Sequence, residues 1–434
     1  MFRSMLRCSG IFFMWCLVGV IATVSAFAQT TVIRAGHVID PATGQASGAQ
    51  TIIVKDGKIV SVGVGLKLPA GARVVDLSSD WVMPGLMDAH THLTLDIAPA
   101  DAPNDLSALY LREGTGLRAL RGMWHAQQEL EAGFTTVRDL GNSANHADTD
   151  IRVAIERGWF PGPTVVNSGK IISPFGGQSH GIPAEQARPW LWEYSDADGP
   201  DEVRKAVREN IFYGAKVIKL VVDNAAYVYS EEEIRAAVTE AHRAGLPVAV
   251  HVFGGPGADN AIAAGVDSIE HGFELSDAQL EAMKKKGIFL VGTDTPRAQL
   301  DAIGTAGGIF PEPETNARNI LDRLKRAQRI GVKMAFGTDA ASVLPGVTRG
   351  RMAFDYLEVW TAAGVPAPKI LQCMTTNAAE LLRVQKDRGE IVAGKYADII
   401  ATADNPLENI QALQKIIFVM KEGKVIPLPK VDQP

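Results

Sequence analysis

The sequence predicts an α/β protein: a (β/α)8 TIM barrel carrying a small β-sandwich assembled from both ends of the chain. Three observations point there. From about residue 82 to 340, eight short β-branched or apolar runs alternate with longer helical patterns. A glycine usually separates each helix from the next run, where a helix C-cap takes a left-handed residue. Long connections follow the runs, whereas short ones precede them, so the long loops gather on one face. Strands buried on both faces read as continuous apolar segments, and helices between them imply parallel pairing through right-handed crossovers.

Residues 1–28 read as an export signal. Arg3 and Arg7 give a positive start, Ile11 to Val20 an apolar stretch, and Ala26-Phe27-Ala28 a small-x-small cleavage site. The expected location is periplasmic or secreted. An uncleaved anchor is the alternative, since the apolar run stretches to Ala28, close to the roughly 18 residues that span a bilayer. Cleavage removes Cys8 and Cys16 and leaves only Cys373. No internal disulfide is then possible, so stability must come from the core.

Residues 29–82 and 385–434 are expected to form the sandwich. The first flank holds Thr51 to Lys55, Lys58 to Val62 and Arg73 to Leu77, with a turn at Asp56-Gly57; the second holds Asp398 to Thr402 and Lys415 to Lys421, with a turn at Gly423. Neither has enough strands for a stable sheet alone. Residues 83–384 then form the barrel, with runs at Val82 to His92, Phe134 to Asp139, Thr164 to Ile172, Ala215 to Val221, Pro247 to Val252, Val266 to His271, Ile288 to Thr293 and Val332 to Asp339. Ser230 with Glu233 and Ser276 with Gln279 predict capping boxes at the helices after the fourth and sixth runs. The long loops are Leu93 to Glu113, Ser173 to Asp201 and Asp294 to Asn316. In this architecture the strand C-termini and their loops form the active-site mouth.

Composition narrows the function. The 434 residues are 46% hydrophobic and 21% charged, with 42 Gly and 23 Pro, which suits a globular protein and excludes collagenous, disordered and disulfide-stapled classes. A formal charge of -6 offers no broad cationic surface, which argues against nucleic acid and, once the signal is cleaved, against a membrane partner.

Four of the nine histidines fall at C-terminal ends of apolar runs: His90, His92, His251 and His271. Side chains alternate along a strand, so His90 and His92 project the same way. Lys219 interrupts Val217-Ile218-Lys219-Leu220-Val221, and Asp339 closes the eighth run. A buried ammonium is costly, so Lys219 should be neutral, paired or chemically altered. A neutral amine takes up carbon dioxide to give a carbamate, an anion that can bridge two cations. The implied centre places His90, His92 and Asp339 on one metal, His251 and His271 on the other, and N6-carboxylated Lys219 between them. His125 and His242, in helical stretches, are expected to be solvated; His37 and His146 receive no role.

These motifs resemble the amidohydrolase superfamily. The residues are His90-Thr91-His92 after Met83-Pro84-Gly85, Gly133-Phe134-Thr135-Thr136-Val137-Arg138-Asp139, Lys219, His251, Ile269-Glu270-His271-Gly272, Thr338-Asp339 and Gly394-Lys395-Tyr396-Ala397-Asp398. They are most similar to the prolidase-like, ochratoxinase-like branch with a carboxylated lysine. That resemblance implies two divalent ions, zinc above all, a metallopeptidase or carboxypeptidase type of activity and a homo-oligomer. One departure is Val291-Gly292-Thr293-Asp294-Thr295, where many relatives end the seventh strand in Pro-Thr-Leu.

The expected reaction is hydrolysis of the amide or peptide bond to a C-terminal, hydrophobic or aromatic amino acid by a metal-bridging hydroxide. Asp339 would act as general base and then general acid. His180, after the third run, is a candidate neutral donor to the intermediate or a loop histidine bonded to backbone. Trp190, Trp192, Tyr194, Tyr227 and Tyr229 either line an aromatic mouth or pack loops onto the barrel. Tyr227, Arg297, His180 and Trp192 are the candidates for substrate contact. A cyclic-amide or lactone hydrolase, and a non-catalytic binding barrel, are the competing readings. A mononuclear deaminase would leave buried Lys219 unexplained.

Overall fold

The computed structural model describes residues 30–97, 112–142, 144–179, 182–223, 225–305, 311–342, 344 and 346–429. The export segment at 1–28 and His180 lie outside the described residues.

The amino-terminal flank supplies β1 (Thr31–Asp40), β2 (Gln45–Ser47), β3 (Gln50–Lys55), β4 (Lys58–Gly63) and β5 (Arg73–Pro84). Asp56 and Gly57, at φ 53° and 78°, make the two-residue turn between β3 and β4. Both positions need positive φ, which Asp-Gly supplies at low cost.

The middle of the chain is mixed α/β with parallel sheets. One sheet joins β6 (Leu86–Thr91), β7 (Phe134–Asp139) and β8 (Thr164–Asn167). The other contains β9 (Ile171–Ser173), β10 (Tyr194–Asp196), β11 (Ile218–Val221), β12 (Val248–Gly254), β13 (Ser268–Glu274) and β14 (Phe289–Val291), in the order β10-β9-β11-β12-β13-β14. Both expected capping boxes are present, at Ser230 with Glu233 and Ser276 with Gln279. They satisfy helix N–H groups that would otherwise lack partners.

Three expected strands differ in detail. Val82, Met83 and Pro84 end β5 rather than begin β6, because Pro84 has no N–H and Gly85 passes against Thr135, where a Cβ would lie 2.2 Å from its Oγ1. The third strand divides into β8 and β9 around Gly169, at φ 70°. The eighth forms no regular strand. Met334 bridges Leu290 and Ala340 bridges Thr91, but Phe336 N–H donates to Cys373 O (3.1 Å) and Thr338 N–H to the Asp88 carboxylate (3.1 Å). A side chain and a helix-end carbonyl thus replace ladder partners there. β10, inside the connection from Ser173 to Asp201, is a short parallel addition that the sequence pattern does not announce.

At the carboxyl end, β15 (Ile399–Thr402), β16 (Ile416–Lys421) and β17 (Lys424–Val425) join the first flank in one eight-stranded sheet, ordered β17-β16-β15-β5-β1-β3-β4 with β2 on β1. β5 sits at the seam, parallel to β1 and antiparallel to β15. Ile33, Ile52, Val82, Ile399, Phe418 and Met420 share a buried cluster, so residues nearly 400 positions apart hold one core.

Candidate metal centre

The strand ends bring six predicted residues into one pocket of about 910 Å³, part of it open to solvent. β6 carries His90 with His92 just beyond it; β11 carries Lys219, β12 His251, β13 His271, and Asp339 follows the eighth segment. Each of the four histidines and Lys219 is, as a whole residue, at most 9% exposed. His271, Thr293 and Asp339 adopt left-handed backbone conformations, at φ 66°, 48° and 57°. Non-glycine residues there cost on the order of 1–3 kcal/mol each and tend to mark functional sites.

Asp339 is the meeting point. Its Oδ1 lies 2.9 Å from His92 Nε2 and 3.5 Å from His90 Nε2, and its Oδ2 lies 3.8 Å from His271 Nδ1. The His251 and His271 rings are 4.3 Å apart. Donor atoms of His90, His271 and Asp339 all fall within 4.8 Å of one another.

The surroundings decide which face of each ring bears a lone pair. His92 Nδ1 is 3.1 Å from Gly141 O, a carbonyl that can only accept, so Nδ1 carries the proton. His90 Nδ1 donates to Glu270 Oε2 at 2.8 Å. With Nδ1 protonated in both rings, each Nε2 is directed at the Asp339 carboxylate: His92 Nε2 can bind it through a proton or a metal ion, whereas the neutral His90 ring leaves Nε2 buried with no hydrogen-bond partner. The His90 lone pair facing a carboxylate is unfavourable until a cation stands between them. Neutral imidazole nitrogens plus a carboxylate are also a fitting donor set for a divalent transition ion.

Electrostatics agree. Burial, helped by the Lys219 charge, holds His90, His251 and His271 well below the ordinary histidine range. Burial acts the same way on His92 and is the largest single influence there, but the hydrogen bond to Asp339 and the charges of Asp339 and Asp139 together exceed it, so the net shift is upward. Burial brings the Lys219 amine down to about 8, against the opposing pull of Glu270 and Asp339. That amine is accessible to neutral-form chemistry near physiological pH.

A buried layer supports these rings. Glu270 Oε1 accepts from Arg138 Nη2 at 2.8 Å, and Arg138 Nε donates to Ala89 O. Asp88 accepts from His90 N–H at 2.9 Å and Thr338 Oγ1 at 2.7 Å. Thr293 Oγ1 is 2.9 Å from His271 Nδ1. Gln178 Nε2 approaches His251 Nε2 at 3.4 Å while its Oε1 accepts from Tyr194 Oη at 3.0 Å. Reading the strands for histidine and lysine missed this layer. Its signal was close to the one that marked Lys219: Asp88 and Glu270 are charged residues inside apolar, buried strand segments, and Arg138 stands beside Asp139 at the buried end of β7.

The predicted substrate contacts fare differently. Arg297 is exposed at the start of its helix and pairs with Asp301 one turn on, at 2.7 Å. Tyr227 is 54% exposed, and Trp192 turns outward from its short 3-10 helix. None of the three lines the pocket; each side chain is exposed at the surface instead. The wall is instead made by Leu95, Ile97, Phe273, Leu300 and Ile303, with Tyr194 the one predicted aromatic among them. His125, expected in solvent, is buried: its Nδ1 donates to Leu93 O at 2.8 Å and burial brings it down to about 3. His242 is half exposed and pairs with Asp267. His37 stacks on Trp81 and His146 on Tyr213.

Comparison with known proteins assigns the chain to a family. The profile of the family described as "Amidohydrolase family" matches residues 81–426. Ochratoxinase of Aspergillus niger is 31% identical over 442 residues, spanning 93% of this chain and 88% of that protein. Its crystal structure superposes with a TM-score of 0.77 at 28% identity, over 93% of this chain and 97% of that one. A Xaa-Pro dipeptidase crystallised with methionine in its active site gives a TM-score of 0.81 at 30% identity, over 92% and 100%. A prolidase complexed with n-methylphosphonate-l-proline gives 0.78 at 28%, over 92% and 100%. The chain therefore belongs to the amidohydrolase family, in its ochratoxinase and prolidase-like branch, and is a hydrolase of amide or peptide C–N bonds.

Proposed function

We propose that this hydrolase is exported, depends on two divalent ions, and releases a C-terminal hydrophobic or aromatic amino acid from a small amide or peptide. The observation that carries the metal reading is the convergence of the Nε2 atoms of His90 and His92 on one oxygen of Asp339, with both Nδ1 protons held elsewhere. His90, His92 and Asp339 would hold one ion, His251 and His271 the other, and carboxylated Lys219 would lie between; zinc suits these donors. When bound, such ions polarise a carbonyl and acidify water. Asp339 then takes the proton of the attacking water and returns it to the leaving nitrogen. Glu270 and Gly141 O hold the imidazoles in their ligating tautomer. Uptake of carbon dioxide by Lys219 forms an N–C bond and releases one proton, and it requires the neutral amine that burial favours.

The substrate reading rests on the apolar wall and on the dipeptidase and prolidase relatives. The N-terminal composition supports export to the periplasm or outside the cell, and a homo-oligomer is part of the same proposal. We further propose that the parallel sheets close as a (β/α)8 barrel over 83–384. The N–H of Ala89 to Phe336 O (2.8 Å) and of Asp339 to His90 O (2.7 Å) support this across the first and eighth segments. Residues 29–82 and 385–434 would form the sandwich around their shared core.

The test is a metal-replete screen of N-acyl amino acids and dipeptides with varied C-terminal residues, run beside hydantoins and lactones. Turnover of amides ending in apolar residues is expected. Activity confined to the rings would overturn the substrate reading, and purified protein that binds no metal would overturn the centre.

A further inference from the structure

We infer that Arg349 is a positioning residue for this reaction, one guanidinium that sets the spacing between His92 and Asp339; the inference rests on the amide-hydrolase reading above. Arg349 is 4% exposed, at the first position of the helix Arg349–Met352. One nitrogen, Nη1, donates to His92 O at 2.7 Å and to Ala340 O at 2.5 Å. The other, Nη2, donates to Leu95 O and to Asp96 Oδ1, the latter at 2.8 Å. The acceptors belong to two loops that leave different segments, and two of them adjoin the site: one is the carbonyl of His92, the other follows Asp339 directly.

The two loops share little regular pairing. Thr91 bridges Ala340, Ile97 bridges Ser342, and Ile97 N–H donates to Ala341 O at 2.7 Å. Between these bridges the guanidinium supplies the connection, and its planar fork suits four acceptors in a way a lysine ammonium does not. The charge is balanced inside the protein. Asp96 also approaches Arg121 (3.5 Å), and Arg121 in turn pairs with Glu113 (2.7 Å). The helix end is fixed independently, since Arg349 N–H donates to Gln128 Oε1 at 3.1 Å. The guanidinium therefore acts from a fixed base on the two loops, and through them on the 2.9 Å separation of His92 Nε2 from Asp339 Oδ1.

A misplacement of about 1 Å between reacting groups can cost 100-fold in rate. Arg349→Lys, which keeps the charge, and Arg349→Ala should therefore lower kcat by roughly 10- to 100-fold with KM changed less than about threefold. Added guanidinium should restore much of the kcat of Arg349→Ala and none of the kcat of Asp339→Asn. Hydrogen exchange of the metal-free protein gives a readout independent of turnover: Ile97 N–H should exchange faster in Arg349→Ala and slow again with guanidinium. Folding is checked for each variant by its denaturation midpoint. Wild-type kcat in a folded Arg349→Lys, a loss confined to KM, or unchanged exchange at Ile97 would each overturn the inference. Wild-type protein inactive on every amide would instead remove the underlying reading.

Discussion

Glu270→Gln is the sharpest probe of the buried layer. The substitution keeps the shape of the side chain and removes its charge. The two carboxylate oxygens now accept from different donors, Oε2 from His90 Nδ1 and Oε1 from Arg138 Nη2, each at 2.8 Å. A glutamine offers one acceptor and one NH2, so one of those donors must meet another donor. Whichever way the amide turns, a guanidinium with no solvent exposure loses its counter-charge, which costs about 3–5 kcal/mol in comparable buried pairs, and an NH2 turned to Arg138 would also set donor against donor. If it turns to His90, the ring must change tautomer, moving its proton to Nε2 and removing the lone pair aimed at Asp339. Loss of such an orienting partner lowers metal affinity roughly 10- to 100-fold. Urea denaturation of the metal-free protein reads the first cost, and metal titration in a chelator buffer reads the second. At least one must appear. The double replacement Arg138→Leu/Glu270→Leu separates them, since an apolar pair should recover most of the stability while leaving the metal affinity low. A Glu270→Gln protein with wild-type midpoint and wild-type affinity would refute the assignment of Glu270 as the residue orienting His90.

Asp339→Asn should lower kcat by about 100- to 10,000-fold, the range for loss of a general acid-base, with the fold intact by circular dichroism. Lys219→Ala should leave less than two metals per chain by elemental analysis, and short carboxylic acids should restore part of the activity. Metal-free protein should also become more stable as pH rises from about 8 toward 10.5. Over that interval the unfolded chain still holds a proton that folded Lys219 has released; Lys219→Met should flatten that slope in denaturation titrations. Thr293→Val removes the partner of His271 Nδ1 at 2.9 Å and should weaken metal binding roughly 10- to 100-fold, measured by chelator competition.

Much of this site was legible because burial makes a polar residue conspicuous. A strand such as Val217 to Val221 has no use for an ammonium, so Lys219 announces itself, and strand-end histidines on separate runs can meet only if the strands share one face. The same logic extends to the buried charges of Asp88, Arg138 and Glu270, which turn out to hold the proposed ligands rather than be them. Spacing cannot assign a charged residue to one shell or the other, because that depends on which neighbour lies across the sheet. His125 failed in the opposite direction. Its place in a helical stretch suggested a solvated ring, but its imidazole reaches Leu93 O under the loop after β6, a tertiary contact no local pattern encodes.

The substrate contacts were least legible for a related reason. Strand ends have fixed directions, whereas a loop side chain points wherever the loop's own turns send it. Arg297 satisfies its charge with Asp301 on the same helix, and Trp192 leaves the wall while Trp190 and Tyr194, two residues to either side, turn inward. On the proposed function, specificity would rest on residues that composition would have ignored, Leu95, Ile97, Phe273, Leu300 and Ile303, which become a surface only once several segments converge. An apolar wall of that kind discriminates weakly per contact, about 1–3 kcal/mol for a methylene, so it selects a class of side chain rather than a single one. Enlarging it by Phe273→Ala should accordingly raise KM for aromatic substrates while leaving kcat near wild type. A variant that lost kcat with KM unchanged would place Phe273 with the reacting groups instead of the wall.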